Sequence, residues 1–235
     1  MKPLTDATAI TSKKGRSRSA DTDGAERAKQ AGSTVSPAAG RADAAIAALL
    51  ATLSSPVLLT LWLLVKSDGG PGLYRQERIG KDGRLFNIYK FRTMVPDAAD
   101  QLEQLLALKP SIREEWAKDQ KLRNDPRITR IGKFLRKSSL DELPQLLNVI
   151  NGEMRLIGPR PVVRNEIGRY GRSARHYLSV TPGMTGLWQV SGRNKTNYRL
   201  RVALDRLYVT QRCVSLDVWI MLKTLEVVLR RDGAY

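Results

Sequence analysis

The sequence predicts an α+β protein: a mostly helical, membrane-associated domain with a small β-hairpin and a re-entrant membrane helix hairpin. Three observations carry this expectation. Residues 44–65 form a 22-residue apolar run without a charge. Two runs rich in aromatic and branched residues, Leu73–Ile79 and Leu85–Phe91, flank Asp82-Gly83, a strong hairpin signal. The rest of the chain reads as helical segments punctuated by Pro and Gly.

Residues 1–43 are rich in Ala, Gly, Ser, Thr and charge, with no aromatic residue and no sustained apolar period. Such a segment buries too little surface to offset its ordering entropy and is expected to be a disordered tail. Residues 44–65 would form a straight helix of roughly 33 Å, enough to cross a bilayer. Ser54-Ser55-Pro56 lies at its middle, and Pro56 lacks the N–H a helix interior requires. Each half alone reaches only about 15 Å. The flanks carry net charges of +3 before residue 44 and +14 after residue 65. Neither side is therefore marked for translocation. This favours a helix that dips in, turns near Pro56 and returns. A kinked single span and a buried soluble helix remain the alternatives.

Residues 66–235 are long enough for one core of their own. After the hairpin, residues 97–122 are helical in composition, with Pro110 dividing two helices. Residues 126–137 place Ile128, Ile131, Phe134 and Leu135 at helical spacing beside five cations. That basic amphipathic helix would face anionic lipid, a phosphate or plain solvent. Residues 216–229 read as a core or interfacial helix, with Trp219 and the cations that follow favouring the interface.

Composition narrows the chemistry. The chain carries 40 Lys+Arg against 23 Asp+Glu, a net charge of +17, which points to an anionic partner. One Cys excludes an internal disulfide, and one His excludes a multi-His metal site. Acid–base or nucleophilic work therefore falls mainly to carboxylates, Lys, Tyr or Ser.

Three motifs could carry it. In residues 89–94, strand alternation puts Lys90 and Arg92 on one face, either as a diphosphate clamp or as a solvated charged face. In residues 136–144, Ser139 and Glu142 have capping-box spacing. If Asp141 is the cap instead, Pro144 falls in the first turn and Asp141 lies at the positive helix end. An ionised Asp141 beside Arg136 and Glu142 could then be a nucleophile next to a metal ligand. In Gly158-Pro159-Arg160-Pro161, two prolines fix the backbone around Arg160, as a rigid turn or a preformed anion site. The loop at 181–194, with Trp188 among Gly and polar residues, suits ligand contact.

Together these motifs resemble the bacterial sugar transferase family, the monotopic polyprenyl-phosphate phosphoglycosyl transferases. The resemblance runs from about Arg41 to Tyr235. It rests on Ser55-Pro56, YRQERIG at 74–80, YKFRTM at 89–94, DPRITRIGKFLRKSSLDELPQLLNV at 125–149, GPRPVV at 158–163, TPGMTGLWQVSGRN at 181–194 and VALDRLYV at 202–209. The ending VVLRRDGAY resembles the exopolysaccharide-initiating branch, which uses galactose or glucose 1-phosphate. At 210–215 the family usually shows an Asn-aromatic-Ser stretch, whereas this chain has Thr-Gln-Arg-Cys-Val-Ser. The residues before Arg41 show no counterpart of the multi-helix membrane domain of larger members, and no regulatory domain is expected.

The resemblance implies a reaction. Asp141 would attack the β-phosphate of a UDP-hexose, UMP would leave, and undecaprenyl phosphate would take the sugar phosphate from Asp141. Glu142 would hold Mg²⁺. Lys90, Arg92, Arg136 and Arg160 match phosphate- and nucleotide-binding positions, and Asp205 matches a further acidic position. Ser55 and Pro56 match the family's re-entrant break. The implied setting is the cytoplasmic face of the bacterial inner membrane, against the lipid bilayer, with downstream glycosyltransferases as consumers of the product and no nucleic acid involved. Two other classes fit the composition less well. A nucleic-acid binder would use the +17 charge but has no need of the apolar run. A membrane-anchored scaffold would have no need of the intact Asp141-Glu142 pair.

Overall fold

The computed structural model describes residues 37–119, 122, 124–192 and 196–230. The tail expected over 1–43 lies outside the described residues up to 36. Its last seven residues are helical, which corrects that boundary: α1 runs Pro37–Lys66. Pro suits a first helical position because its missing N–H would find no partner there. The tertiary structure holds this first stretch in place. The Asp43 carboxylate pairs with the Arg155 guanidinium and accepts the Leu156 N–H at 3.2 Å.

Pro56 sits inside α1, where it leaves the Thr52 carbonyl without its usual donor. The Ser55 hydroxyl donates to that same carbonyl at 2.8 Å. The Ser54 hydroxyl bonds Leu50 O at 2.7 Å in the preceding turn. Local hydroxyls thus replace the bond the proline removes.

Only Ala47, Leu61 and Val65 of the long α1 residues are deeply buried, whereas Leu49, Leu53, Val57, Leu59 and Leu63 are half exposed or more. Both halves of α1 dock on the same domain. Ala47 packs with Ile88, Leu146 and Leu156, while Leu61 and Val65 pack with Phe91 and Leu135.

Strands β1 (Leu73–Ile79) and β2 (Leu85–Phe91) pair antiparallel from Leu73↔Phe91 to Ile79↔Leu85, as the sequence predicts. Asp82 and Gly83 both take positive φ, and the Arg84 N–H closes on Lys81 O at 3.2 Å. That is the primed turn whose twist matches a hairpin. Helices α2 (Ala98–Leu108) and α3 (Pro110–Asp119) follow, divided at Pro110 as expected. Helix α4 (Arg130–Ser138) starts four residues later than the apolar spacing suggests. Thr129 caps it by accepting the Gly132 N–H at 2.9 Å, and the preceding Asp125 and Arg127 form a buried ion pair at 2.6 Å.

The chain continues through a 3₁₀ turn (Leu140–Gln145), α5 (Leu146–Ile150) and β3 (Arg155–Ile157). Next come α6 (Arg164–Ile167), a 3₁₀ stretch (Gly168–Ser173), α7 (Ala174–Leu178) and β4 (Gly183–Thr185). Last come α8 (Leu187–Val190), α9 (Tyr198–Gln211) and α10 (Val214–Arg230). β3 and β4 pair in parallel, a contact the sequence did not announce. It is tight enough that a Cβ on Gly183 would meet the Gly158 nitrogen at 2.0 Å. α10 buries Ile220 and leaves Val218, Trp219, Leu222, Leu225 and Leu229 exposed.

Two expected substrate ligands belong to the frame instead. Arg92 donates all five N–H bonds within the protein. Nε bonds Pro71 O at 2.7 Å; Nη1 bonds Asp68 Oδ2 at 2.8 Å and Met94 O at 2.7 Å; Nη2 bonds Val65 O at 2.9 Å and Asp68 Oδ1. No donor remains for a phosphate, so Arg92 ties the exit of α1 to the end of β2. Asp205, 2% exposed, accepts the Tyr170 hydroxyl at 2.7 Å inside the core of α7 and α9. It does not line the cleft described below. Burial pushes its pKa up to about 6, against the Tyr170 bond and the Arg201 charge.

Two outcomes follow from these placements. Arg92→Met strands the Asp68 carboxylate and three carbonyls and is expected to cost about 3 kcal/mol, read as a lower Tm in detergent. An unchanged Tm would refute the tie. For Asp205, the folded pKa lies above the unfolded value of about 3.9, so the native state binds the extra proton between about pH 4 and 6. Its contribution to stability is greatest below that window and is lost as pH rises through about 6. The Tm of Asp205→Asn minus that of the wild type should therefore climb between pH 4 and 7. A pH-independent difference would contradict the burial of this carboxyl.

Candidate active site

The 3₁₀ turn after α4 builds the site. Ser139 takes a left-handed conformation (φ 58°) that ends α4 and redirects the chain. Neither capping arrangement open to the sequence is used. The Ser139 side chain makes no cap bond, and Asp141 lies inside the turn rather than ahead of it. Glu142, free of Ser139, reaches across to β2 instead.

Its Oε1 accepts from Lys90 Nζ at 2.7 Å and from Arg160 Nη1 at 3.4 Å. Lys90 thus comes from the hairpin, Glu142 from the turn and Arg160 from the rigid Pro-Arg-Pro segment. Asn148, fully buried on α5, sets this alignment. It accepts the Tyr89 N–H at 3.1 Å and donates to Asn87 O at 2.7 Å and Glu153 Oε2 at 2.7 Å. The strand bearing Lys90 and the turn bearing the carboxylates are thereby held in register. Asn148 falls within the 125–149 motif, but the sequence assigns it no role; two of its partners, Tyr89 and Asn87, lie some 60 residues upstream.

The groups surround a cleft of about 920 Å³. Asp141, Glu142, Lys90, Arg136 and Arg160 all line it, as expected. Arg136 is held by its Nε bond to Thr93 Oγ1 at 2.9 Å, and its η nitrogens make no hydrogen bond among the described residues. Arg92 and Arg127 also touch the wall, but Asp68 and Asp125 neutralise them. Sequence reasoning missed Arg78, Glu166 and Arg201, which line the cleft together with Trp188, with Arg201 next to both Trp188 and Glu166. Alternation along β1 could have found Arg78, since its cross-strand partner Phe86 lies on the Lys90 face. Nothing local couples Glu166 to Arg201.

The two carboxylates are driven apart electrostatically. Burial and the adjacent Glu142 charge push Asp141 up to about 6, opposed by Lys90, Arg136 and Arg160. Burial would also raise Glu142, but Lys90 and Arg160 outweigh it and hold this carboxyl at about 2. At neutral pH the cleft therefore offers a largely ionised Asp141 beside a fully ionised, cation-bound Glu142.

Among the described residues, no three or more His, Cys, Asp or Glu side chains gather as a metal cage. A cage is unnecessary for Mg²⁺, which commonly takes one or two carboxylates and completes its shell with phosphate oxygens and water. Glu142 Oε2 carries no hydrogen bond among the described residues, so this donor set fits Mg²⁺ bound together with a diphosphate.

A sequence profile described as bacterial sugar transferase matches residues 38–231. The chain is similar to an undecaprenyl-phosphate galactose phosphotransferase of Salmonella typhimurium, 52% identical over 187 residues, covering 80% of this chain and 39% of that protein. It is similar to a UDP-galactose-lipid carrier transferase of Erwinia amylovora, 53% identical over 184 residues, covering 78% and 39%. It also resembles the exopolysaccharide production protein ExoY of Rhizobium meliloti, 47% identical over 194 residues, covering 82% and 86%. The chain spans about two fifths of the length of the first two relatives. The profile match, the ExoY alignment along most of both chains, and an Asp-Glu pair set among cations make this chain a member of the bacterial sugar transferase family.

Proposed function

We propose that this protein transfers a hexose 1-phosphate, galactose or glucose, from a UDP-sugar to undecaprenyl phosphate as the first membrane step of exopolysaccharide synthesis. The observation that carries this reading is the Asp141 carboxylate. Unlike Glu142, it has no hydrogen-bonded cation among the described residues, yet it lies under the combined charge of Lys90, Arg136 and Arg160. An Asp oxygen attacks the β-phosphorus. The bond from that phosphorus to the bridging oxygen breaks, UMP leaves with the electron pair, and the sugar phosphate stays as an acyl phosphate on Asp141. A phosphate oxygen of the lipid then attacks the same phosphorus and releases the carboxylate. Arg136 and Arg160 orient the phosphates, and Lys90 keeps Glu142 ionised and in place. Glu142 would hold Mg²⁺, which when bound neutralises charge on the diphosphate.

The same reading gives α1 its purpose. Both of its halves dock on the domain that carries Asp141, which supports an anchor that enters and leaves on one membrane face. We read that face as the cytoplasmic one of the inner membrane, with Pro56 near the deepest point of α1. The uncovered faces of α1 and α10 lie in lipid, and the acceptor phosphate is met at headgroup depth. Downstream glycosyltransferases would consume the product.

Purified protein in detergent is expected to release UMP from one UDP-hexose in a panel, in the presence of Mg²⁺ and undecaprenyl phosphate. Asp141→Asn should lower this at least about a thousandfold, and EDTA should abolish it. An active Asp141→Asn enzyme would exclude the covalent route. For topology, single cysteines replacing Gly40 and Ser67 in a Cys213→Ser background should both react with an impermeant maleimide in inside-out vesicles. Labelling of only one would mean a spanning helix.

A further inference from the structure

Around Arg201 the cleft holds more positive charge than it uses. Arg201 is 8% exposed, and its Nε and Nη2 are buried without a hydrogen-bond partner. Its guanidinium is held by ring contacts, with Cζ 4.7 Å from the Trp188 centroid and 5.2 Å from the Tyr198 centroid. The Glu166 carboxylate faces Nη2 at 3.7 Å, close enough for attraction but too long for a hydrogen bond. Arg78 lies beside it, and its Nε is likewise buried and unpartnered. Burial and the nearby Arg160 and Arg201 charges push the Arg78 pKa down to about 10. Arg78 and Arg201 thus share one carboxylate, Glu166, with the Arg160 charge nearby. Unsatisfied buried guanidinium nitrogens are costly, and a cluster of this kind is completed by an anion.

We propose that Arg78 and Arg201 form a second phosphate site in the cleft, which takes the nucleotide phosphate of the donor and the UMP that leaves. This rests on the transferase reading above and divides the cleft between its two substrates. Counting wall residues not neutralised from behind, Arg78, Lys90, Arg136, Arg160 and Arg201 oppose Asp141, Glu142 and Glu166. The surplus of two positive charges matches a diphosphate diester. Lys90, Arg136 and Arg160 receive the reacting phosphate next to Asp141, and Arg78 and Arg201 receive the one beyond it.

Position separates the nucleotide from the lipid. Arg78 and Arg201 stand on the core formed by Ile79, Val162, Tyr170, Tyr177, Tyr198 and Val202, which includes no residue of α1. The cleft is also lined by Pro71, Met94, Pro96 and Leu102, near the point where Arg92 grips the exit of α1. In this proposal the polyprenyl acceptor arrives along that apolar wall, and the water-soluble nucleotide along the arginine wall. Arg201 is fixed by aromatic faces rather than by hydrogen bonds, so its N–H groups remain available to phosphate oxygens.

The test uses the full chain in detergent and UMP as the probe. Binding is measured by calorimetry on Asp141→Asn, which cannot turn over, and KM values are measured on the otherwise wild-type enzyme. Arg201→Met and Arg78→Met, on separate elements, should each raise the UMP Kd and the UDP-sugar KM about tenfold or more, with the undecaprenyl phosphate KM nearly unchanged. Arg201→Lys should recover only part of the loss, because an ammonium cannot present the planar fork. Thermal melts identify a variant that has merely unfolded, and the Arg78 variant then decides. Unchanged UMP affinity in folded variants would overturn the proposal. So would a rise confined to the undecaprenyl phosphate KM, which would give these arginines to the lipid phosphate. A protein that binds UMP through Arg78 and Arg201 but releases none from any UDP-sugar would keep this site and refute the transferase reading.

Discussion

A guanidinium buried in a protein must find acceptors for five N–H groups, and at Arg92 those acceptors come from four places in the chain. Val65 O is at the end of α1, Asp68 and Pro71 O are in the turn that follows, and Met94 O is just past β2. Satisfying one side chain therefore fixes the angle between an apolar helix and the strand that carries Lys90. The rest of the site inherits that angle. Glu142 meets Lys90 on the same strand, and α4, which leads into the 3₁₀ turn bearing Asp141 and Glu142, packs Leu135 against Leu61, Val65 and Phe91. An exposed apolar helix face and a polar cleft are thus joined through one charged knot.

Downstream of that knot, two small features aim the chemistry. The left-handed Ser139 breaks the helix and lets the next residues coil tightly, which turns Asp141 and Glu142 into the cleft instead of onto a helix end. Gly132 allows α4 to approach the end of the hairpin, where a Cβ would meet Thr93 O at 2.0 Å. Thr93 in turn holds Arg136. Asn148 completes the arrangement by joining α5 to the backbone of β2 on both sides of Ile88. The charged groups around Glu142 come from segments separated by up to about 70 residues, so contacts of this kind do the positioning.

Charge organises the cleft at a second level. Each interior cation is either neutralised from behind, as Arg92 and Arg127 are, or left facing the cavity. The same carboxyl chemistry gives two different behaviours at Asp141 and Glu142 because only Glu142 is hydrogen-bonded to cations. This division suits a nucleophile next to a fixed, permanently ionised neighbour. The exposed apolar faces of α1 and α10 mark the other boundary of the described structure, where no described residue covers them.

Much of this was legible in the residues alone. The apolar run with Pro56 at its centre, the hairpin at Asp82-Gly83, the helix break at Pro110 and the Asp141-Glu142 pair are all local signals. Each depends on one residue's backbone limits or on a short period. The structure bears out the hairpin and the break at Pro110, and it keeps Pro56 inside one continuous helix rather than at a turn. The partners of the charges were not legible, because partners are chosen by distance in space. Strand alternation gave Lys90 and Arg92 the same face, yet the first meets a carboxylate in the cleft and the second is consumed by carbonyls from α1 and its turn. An acidic residue within a helical period could not reveal that Asp205 is enclosed with Tyr170, nor could Arg201 announce its place between two aromatic rings. The sequence by itself determined which elements form and which carboxylates are available. Only the tertiary structure decided which cations remain free to meet phosphate, because a hydrogen bond to a distant carbonyl leaves no trace in local spacing.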